Sequence, residues 1–268
     1  MNTPLQSTVE TDIDHGLVSI VMPNYNGAEY VKETIESVLA QTYSNWELLF
    51  VDDCSSDNSL EIVDSFNDPR IKIFRNEKNK GAAASRNLAL NQASGRWVAF
   101  LDSDDLWKPW KLEKQLTFMI QNDCHFTYTS YEHIDEDSNK LNVRVSGPRM
   151  ISKRKMFRYD YIGCLTVMYD ANVINKIQID ESLKSRNDYA IWLKACKFAD
   201  CYYIDQVMAQ YRIRKNSLSH SGFKKLLYSQ YRLFRYGEKM SVVCAVYYTC
   251  LNCFFGFWKK VFYVRKES

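Results

Sequence analysis

Three aspartates follow an apolar run near the middle of the chain. Asp102, Asp104 and Asp105 come directly after residues 97–101, which have the length and composition of a buried strand. Ligands of open α/β sheets bind just outside the carboxyl ends of the strands. Carboxylate oxygens suit Mg²⁺ or Mn²⁺, which proteins often hold with one or two carboxylates plus substrate phosphates. The motif therefore predicts a Mn²⁺ or Mg²⁺ site, and the alternative is a capped turn, because Asp and Ser also cap helices.

Other polar residues occur where neighbouring strands are predicted to end. They are Pro23 and Tyr25 after the first strand, Asp52 and Asp53 at the end of the second, and Arg86 in the helix after the third. Because parallel strands end at one edge of a sheet, we expect these side chains near Asp104. No G-x-G-x-x-G follows the first strand, so a dinucleotide site is not supported. A metal-bridged diphosphate needs fewer glycines, because the cation neutralises the phosphate charge.

The elements that must position these residues alternate between strand and helix. Strands are predicted at residues 17–22, 46–51, 70–74 and 97–101, with helices at 27–41, 60–66 and 81–92 between them. This alternation is typical of a parallel sheet with right-handed crossovers. Farther along, helices are predicted at 109–121 and 187–199, and strands at 125–131, 163–169, 202–204 and 207–213. We expect an α/β fold with a mixed, mainly parallel sheet, flanking helices and an apolar helical tail.

Composition narrows the class of protein. The 268 residues are 46% apolar, which is enough for one full core. A net charge of +3 is too small to suggest a nucleic-acid partner, and none is predicted. Eight cysteines show no paired framework, so reduced thiols in the cytoplasm are expected. The first fifteen residues have no apolar stretch, and no signal peptide is predicted.

The C-terminal region contains a long uncharged segment. Residues 241–258 include no charged side chain and are followed by Lys259 and Lys260. Aromatic side chains with flanking lysines favour an interfacial segment on an anionic membrane surface. The alternative is a helix packed on the core or on a second subunit.

The order of these motifs resembles that of the family 2 inverting glycosyltransferases, which have the GT-A fold. Five segments carry the resemblance, namely residues 18–26, 49–57, 79–87, 100–105 and 186–192, and it extends over about residues 17–215. Asn187 stands where many members carry Glu, which leaves Asp188 intact but bears on donor or acceptor preference. The resemblance and the composition together predict a polar tail at 1–16, a GT-A domain at 17–220 and a helical, membrane-associating segment at 221–268.

The resemblance also implies roles for individual residues. Pro23 and Tyr25 would frame a uracil ring, and Asp53 would meet its edge with support from Asp52. Arg86 and Asp104 would contact the nucleotide.

The same resemblance assigns the metal ligands. Asp102, Asp104 and Asp105 would hold Mn²⁺ or Mg²⁺. His220 would complete this metal shell, as in some relatives, although an ordinary surface histidine is the alternative.

Asp188 has a chemical case of its own. Inverting transfer is a single displacement that needs one base for the acceptor hydroxyl proton and a cation for the departing diphosphate. Asp188 precedes an apolar helical stripe, so its carboxylate is expected at a helix N-terminus facing a pocket. The alternative is a helix N-cap.

These features together predict an enzyme, a glycosyltransferase that moves a hexose from a UDP-sugar to a saccharide acceptor. The basic and aromatic tail suggests an acceptor linked to a polyprenyl diphosphate, as in the synthesis of O-antigen, lipopolysaccharide or capsular polysaccharide. The protein would then lie on the inner face of the cell membrane. Two alternatives stay open, a sugar nucleotidyltransferase and an inactive saccharide-binding protein of the same fold.

Overall fold

The computed structural model describes residues 15–183, 185–215 and 222–266. Eleven strands of these residues form one mixed sheet. They are β1 (Val18–Asn24), β2 (Trp46–Asp52), β3 (Ile71–Arg75), β4 (Trp97–Phe100), β5 (Leu106–Trp107), β6 (Phe126–Ile134), β7 (Lys140–Val145), β8 (Met150–Ile151), β9 (Met168–Asp170), β10 (Cys201–Arg212) and β11 (Val264–Lys266). The helices are α1 (Val31–Leu39), α2 (Ser59–Asp64), α3 (Ala82–Gln92), α4 (Lys111–Gln121), α5 (Lys153–Met156), α6 (Ala171–Ile174), α7 (Asn187–Ala195), α8 (Phe223–Arg232) and α9 (Val242–Phe262).

The first four strands form the parallel part of the sheet, in the order β3-β2-β1-β4. Parallel pairing aligns Asn24 with Asp52, and Val21 with Phe100. The carboxyl ends of β1, β2 and β4 therefore meet at one edge, as the alternating pattern predicted. The turns that follow these strands carry the polar motifs.

The rest of the sheet is largely antiparallel. β9 pairs with β4 in the opposite direction and is followed by β6, β7 and β11. Of the ten strand pairings within the described residues, the parallel ones are β1–β2, β2–β3, β1–β4 and β6–β10. The expected mixed sheet is confirmed, and its parallel character is concentrated in the part that carries the polar motifs.

Several predicted boundaries were wrong for local reasons. Pro23 lies inside β1 rather than ending it. Along β1 the backbone groups point alternately to the two neighbouring strands, since the Asn24 carbonyl faces β2 and the Val21 carbonyl faces β4. Residue 23 therefore points to the β4 side, beyond Phe100 where β4 ends, so proline loses no hydrogen bond by lacking an N–H. The strand predicted at 163–169 is a 3₁₀ turn at Cys164–Thr166 followed by β9. The strands predicted at 202–204 and 207–213 form one continuous β10 with two register shifts.

The core lies on both faces of the sheet. Val18, Ile20 and Met22 pack on the α1 and α4 side, whereas Val21 belongs to the cluster that includes α3 and α7. This two-sided burial explains why the parallel strands are apolar at nearly every position. Leu233, Phe234 and Ala245 from the C-terminal region join the cluster of α3 and α7. The C-terminal helices therefore pack on the same core as the motif-bearing sheet.

Helix α9 has two different faces. Ala245, Thr249 and Asn252 are its buried residues, and they recur at helical spacing. Its exposed large apolar side chains are Val242, Val243, Val246, Tyr247, Phe254, Phe257, Trp258, Val261 and Phe262. Within the described residues, α9 is the one helix long and apolar enough to cross a membrane by length and composition. After it the chain returns to the sheet, where Val264 of β11 pairs with Val145 of β7.

Candidate active site

Two partly exposed carboxylates of the Asp-rich turn after β4 form ion pairs with arginines. Asp102 accepts a hydrogen bond of 2.6 Å from Arg86 Nη2, and Asp104 lies 2.8 Å from Arg214 Nη2. Their side chains are 34% and 19% exposed, respectively. Both are therefore accessible from the edge of the sheet where β1, β2 and β4 end.

Asp105 is buried and belongs to a different network. Its Oδ1 accepts a 2.9 Å hydrogen bond from the backbone N–H of Arg212, at the end of β10. The Arg212 guanidinium is fully buried and donates to the Asp104 carbonyl at 2.8 Å, to Glu33 at 2.7 Å and to Ser138 at 2.8 Å. Arg212 thereby fixes the Asp-rich turn to α1 and to the β6–β7 turn.

Sequence reasoning missed Arg212 and Arg214. The signal available was two basic residues at alternate positions near the end of a predicted strand, which indicates little by itself. Their importance comes from β10 ending beside the Asp-rich turn.

The acidic turn is electrostatically strained. Burial and the charge of Asp102 raise the pKa of Asp104, although Arg214 opposes the shift. Burial also raises the pKa of Asp105, and the charges of Asp104 and Asp102 add to it. A bound cation would relieve this repulsion.

Asp102 and Asp104 are the carboxylates that would hold a divalent cation, in exchange for their arginine partners. Within residues 15–183, 185–215 and 222–266, no cluster of three His, Cys, Asp or Glu side chains surrounds a common metal position. Mg²⁺ and related ions are commonly held by one or two carboxylates plus substrate phosphates, and Asp102 with Asp104 meets that requirement. Asp105, predicted as a third ligand, contacts Arg212 instead, and its ligand role stays a prediction. His220 lies outside the described residues.

Asp53 shapes the loop before α3. Its carboxylate is buried and accepts hydrogen bonds from Asn76 Nδ2 at 2.8 Å, Lys80 N at 2.9 Å and Gly81 N at 2.7 Å. Gly81 has φ = 88°, a conformation that favours glycine. Asp53 thus orders the segment that leads into the Arg86 helix, and direct contact with uracil stays a prediction.

Asp52 is held within the protein. It is buried and accepts hydrogen bonds from Ser55 N at 2.9 Å and Asn24 Nδ2 at 3.1 Å. These bonds join the ends of β1 and β2, and the support of Asp53 at a uracil ring stays a prediction. Tyr25, the next residue after Asn24, is 54% exposed. Tyr25 follows the end of β1 and Pro23 lies within it, and contact of either residue with a base is likewise a prediction.

Asp188 lies in the first turn of α7. The cap position is Arg186, which has φ = 62°, so the alternative that Asp188 is the N-cap was wrong. Asp188 Oδ1 accepts a 2.8 Å hydrogen bond from the N–H of Tyr189, and the residue is half-buried. A half-buried carboxylate at a helix N-terminus suits the expected base.

Arg86 connects Asp188 with the Asp-rich turn. Burial lowers the pKa of its guanidinium, but the charge of Asp102, joined by those of Cys164 and Asp188, raises it above the ordinary value. Arg86 Nε and Asn187 Oδ1 are both buried and have no hydrogen-bond partner among the described residues. Buried polar atoms without partners are uncommon and often mark a place where a ligand or water binds. Arg86 and Asn187 therefore offer candidate ligand contacts next to the predicted donor edge and the predicted base.

A separate cavity of about 710 Å³ lies between β7, β10 and β11. It is lined by basic and aromatic side chains such as Arg149, Tyr202 and Arg265, and none of the predicted site residues lines it. We therefore place the candidate active site at the Asp-rich turn.

Comparison with known proteins identifies the family of the chain. Residues 19–176 match the family described as Glycosyl transferase family 2. The chain is 42% identical over 216 residues to the UDP-Glc:alpha-D-GlcNAc-diphosphoundecaprenol beta-1,3-glucosyltransferase WfgD of Escherichia coli, which covers 80% of this chain and 84% of that protein.

Solved structures show the same fold. S. aureus TarS 1-349 in complex with UDP-GlcNAc superposes with a TM-score of 0.68 at 23% identity, covering 85% of this chain and 69% of that one. The mannosyltransferase PcManGT of Pyrobaculum calidifontis, in complex with GDP-Man and Mn²⁺, gives a TM-score of 0.63 at 14% identity and covers 87% and 72%. These likenesses confirm the expected architecture.

Proposed function

The chain belongs to glycosyl transferase family 2, and from that premise we propose that it transfers a hexose from a UDP-sugar to a lipid-linked saccharide, with inversion at the anomeric carbon. The acceptor we infer is a saccharide on a polyprenyl diphosphate, because the name of the relative WfgD specifies such an acceptor. The family match does not favour the nucleotidyltransferase alternative.

One observation carries the proposal. Arg86 forms an ion pair with Asp102, and its Nε is buried without a hydrogen-bond partner among the described residues, as is Oδ1 of Asn187 next to Asp188. A donor held at the Asp-rich turn would therefore have its reacting carbon near the carboxylate of α7. An inactive binding protein has no need for a base in that position.

The proposed reaction is a single displacement. The acceptor hydroxyl oxygen forms a bond to the anomeric carbon while the bond from that carbon to the diphosphate breaks. The hydroxyl proton passes to the Asp188 carboxylate, and UDP leaves with the bonding electron pair. General-base assistance of this kind typically contributes about 10²- to 10⁴-fold to the rate.

Asp102 and Asp104 would hold the Mn²⁺ or Mg²⁺ of this site. When bound, the cation supplies neutralising charge for the diphosphate, which otherwise meets the carboxylates of the Asp-rich turn. Arg214, paired with Asp104 at 2.8 Å, could exchange its carboxylate partner for a phosphate oxygen.

We infer a peripheral position on the inner face of the cell membrane. The exposed aromatic side chains of α9, such as Phe257 at 71% and Trp258 at 42% exposure, support this position. The lipid portion of the acceptor would be in the same bilayer. The boundaries of the GT-A domain at 17–220 and of the membrane-associating segment at 221–268 stay proposals.

The test is transfer from a panel of labelled UDP-sugars to GlcNAc-diphosphate-lipid with Mn²⁺ present. We expect transfer from one UDP-hexose and slow hydrolysis of the same donor without acceptor. A protein that binds UDP but neither transfers nor hydrolyses any UDP-sugar would overturn the proposal. The anomeric configuration of the product, determined by NMR, tests inversion.

A further inference from the structure

A lysine lies on the packing face of the apolar helix α9. The buried residues Ala245, Thr249 and Asn252 define that face, and Gly256 and Lys259 continue it at spacings of four and three residues. A Cβ atom on Gly256 would lie 3.0 Å from the Tyr159 ring, so the helix approaches that ring closely. Lysines rarely lie on the buried face of a helix unless they have a charged partner or a function.

The packing face of α9 contacts α7, the helix that carries Asp188. Asn252 Nδ2 donates to the hydroxyl of Tyr189, the residue after Asp188, at 3.1 Å, and to the Arg158 carbonyl at 3.4 Å. Lys259 Nζ lies 5.7 Å from the centre of the Tyr159 ring. Lys259 therefore lies beside Tyr159 where α9 packs near α7, and the charges of Asp160 and Asp188 act on its ammonium.

Two cations share this space. Burial lowers the pKa of Lys259 and the charge of Arg186 adds to that shift, whereas Asp160 and Asp188 oppose it. Neither Lys259 nor Arg186 forms an ion pair with a carboxylate of the described residues. A purely structural lysine would gain most from a direct ion pair, so the arrangement suits an anion supplied by a ligand.

The proposed acceptor has an anion at the required place. In a monosaccharide linked to a lipid diphosphate, the reacting hydroxyl and the diphosphate are attached to the same sugar ring. When the hydroxyl meets Asp188, the diphosphate must lie within one ring of it. The exposed side of α9, with Phe254, Phe257 and Trp258, then offers an apolar surface for the lipid chain.

We propose that Lys259 and Arg186 bind the diphosphate of the lipid-linked acceptor. This inference rests on the proposed function, because that function supplies the acceptor class. Asp160 need not repel the diphosphate. Burial and the charge of Asp188 raise the pKa of Asp160 to about 7, so this carboxyl takes up a proton near neutral pH. α9 thus carries the acceptor site on one face and an apolar surface on the other.

Two acceptors and matched variants test this site. GlcNAc-diphosphate-lipid is compared with an alkyl glycoside of GlcNAc that lacks phosphate, using the full chain in detergent. Lys259→Gln should raise KM for the diphosphate acceptor by about tenfold to a hundredfold, the effect of losing one charged hydrogen bond. KM for the alkyl glycoside, KM for the donor and the melting temperature should stay near wild type. Lys259→Arg should restore most of the loss, and the exposed neighbour Lys260→Gln is the control.

Two results would overturn the site. One is an unchanged KM for the diphosphate acceptor in Lys259→Gln. The other is an equal loss with both acceptors, which would make Lys259 a positioning residue for Asp188.

A binding measurement separates this inference from the proposed function. Farnesyl diphosphate, titrated calorimetrically in the presence of UDP and Mn²⁺, should bind the wild type and Lys260→Gln alike and Lys259→Gln about tenfold or more weakly. If that holds while the wild type transfers no sugar, the anion site stands and the proposed function fails. Equal binding to all three proteins would refute the site even if transfer is observed.

Discussion

At the residue scale, the proposed chemistry depends most directly on Asp188. The substitution Asp188→Asn keeps the shape of the side chain and its hydrogen bond to Tyr189 N, but removes the proton acceptor. We expect the transfer rate to fall about 10²- to 10⁴-fold while UDP affinity and melting temperature stay near wild type. Steady-state kinetics, calorimetry and thermal unfolding check the three quantities.

Asp123→Asn is the matched control, because the Asp123 side chain is 97% exposed and away from the cleft. An unchanged transfer rate in Asp188→Asn would remove Asp188 from the mechanism. A parallel loss of rate and melting temperature would instead indicate a structural contribution of the first turn of α7.

The exposed aspartates give a second prediction. UDP should bind at least about tenfold more tightly with Mn²⁺ or Mg²⁺ than in EDTA, because the carboxylates otherwise repel the diphosphate. Asp104→Asn should weaken binding in Mn²⁺ and reduce this metal dependence. Titration calorimetry measures both effects, and equal UDP affinity with Mn²⁺ and with EDTA would contradict the metal assignment.

Residue types predicted the polar edge of the sheet but not the more distant residues that contact it or pack beside it. Asp102, Asp104 and Asp188 interrupt apolar patterns, and such interruptions are visible in a sequence. Arg212 contacts Glu33 across a separation of 179 residues, which no local pattern encodes. Lys259 was seen only as part of a basic cluster, because its inward direction depends on how α9 packs.

At the scale of elements, Glu47 of β2 joins several strands and gives a prediction for stability. It accepts hydrogen bonds from Ser19 Oγ at 2.6 Å, Lys72 Nζ at 2.6 Å and Ser94 N at 2.8 Å. Burial alone would raise the pKa of Glu47, but the bonds from Lys72, Ser19 and Ser94 outweigh burial and lower the pKa to about 2 from 4.5. The folded state therefore binds this proton more weakly than the unfolded state does.

The sign of the pH effect follows from that difference. The contribution of Glu47 is fully present above pH 4.5 and is lost as pH falls from 4.5 through about 2. Glu47→Gln should lower the melting temperature at pH 7 and flatten its decrease over this acid range. Exposed Glu61→Gln serves as the control. A variant whose melting temperature falls with acid as steeply as that of the wild type would show that Glu47 contributes nothing to the acid dependence.

Element types were more predictable than their ends. The apolar strands and amphipathic helices of the first hundred residues were identified because periodicity reports burial. Helix α1 begins at Val31 rather than at Gly27, because Asp57 accepts a 2.9 Å hydrogen bond from Ala28 N and holds the preceding turn. The single strand β10 was divided in the prediction, since its register shifts interrupt the alternation.

At the scale of the whole molecule, the outer face of α9 should bind an anionic membrane. Replacing Phe254, Phe257 and Trp258 together by Ser should reduce co-sedimentation with anionic vesicles by at least about tenfold. Folding should be little affected, because these side chains are exposed. Phe198→Ser is a matched control, since Phe198 is 55% exposed but lies outside the helix. Unchanged vesicle binding in the triple variant would contradict the membrane assignment.

The sequence left two alternatives for the uncharged segment, a membrane surface or a packed helix. The structure buries the residues of one face of α9 in the core and leaves the other face exposed. The packed-helix alternative is therefore correct for one face only. Composition could not separate these faces, because Asn252 and Thr249 are the buried ones and several aromatic residues are exposed. Removing the whole segment would therefore damage the core, and face-specific substitutions are the sharper test.

The pairing of β11 with β7 has a consequence for membrane topology. At 1.5 Å per residue, a 21-residue helix is about 32 Å long, close to the thickness of a bilayer interior. Val264 nevertheless follows α9 almost at once and pairs with Val145 in the same sheet as the active site. If α9 crossed the bilayer, β11 would have to leave that sheet. We therefore expect both ends of α9 to face one compartment, and a reporter fused after Lys266 should be found on the same side as the candidate active site.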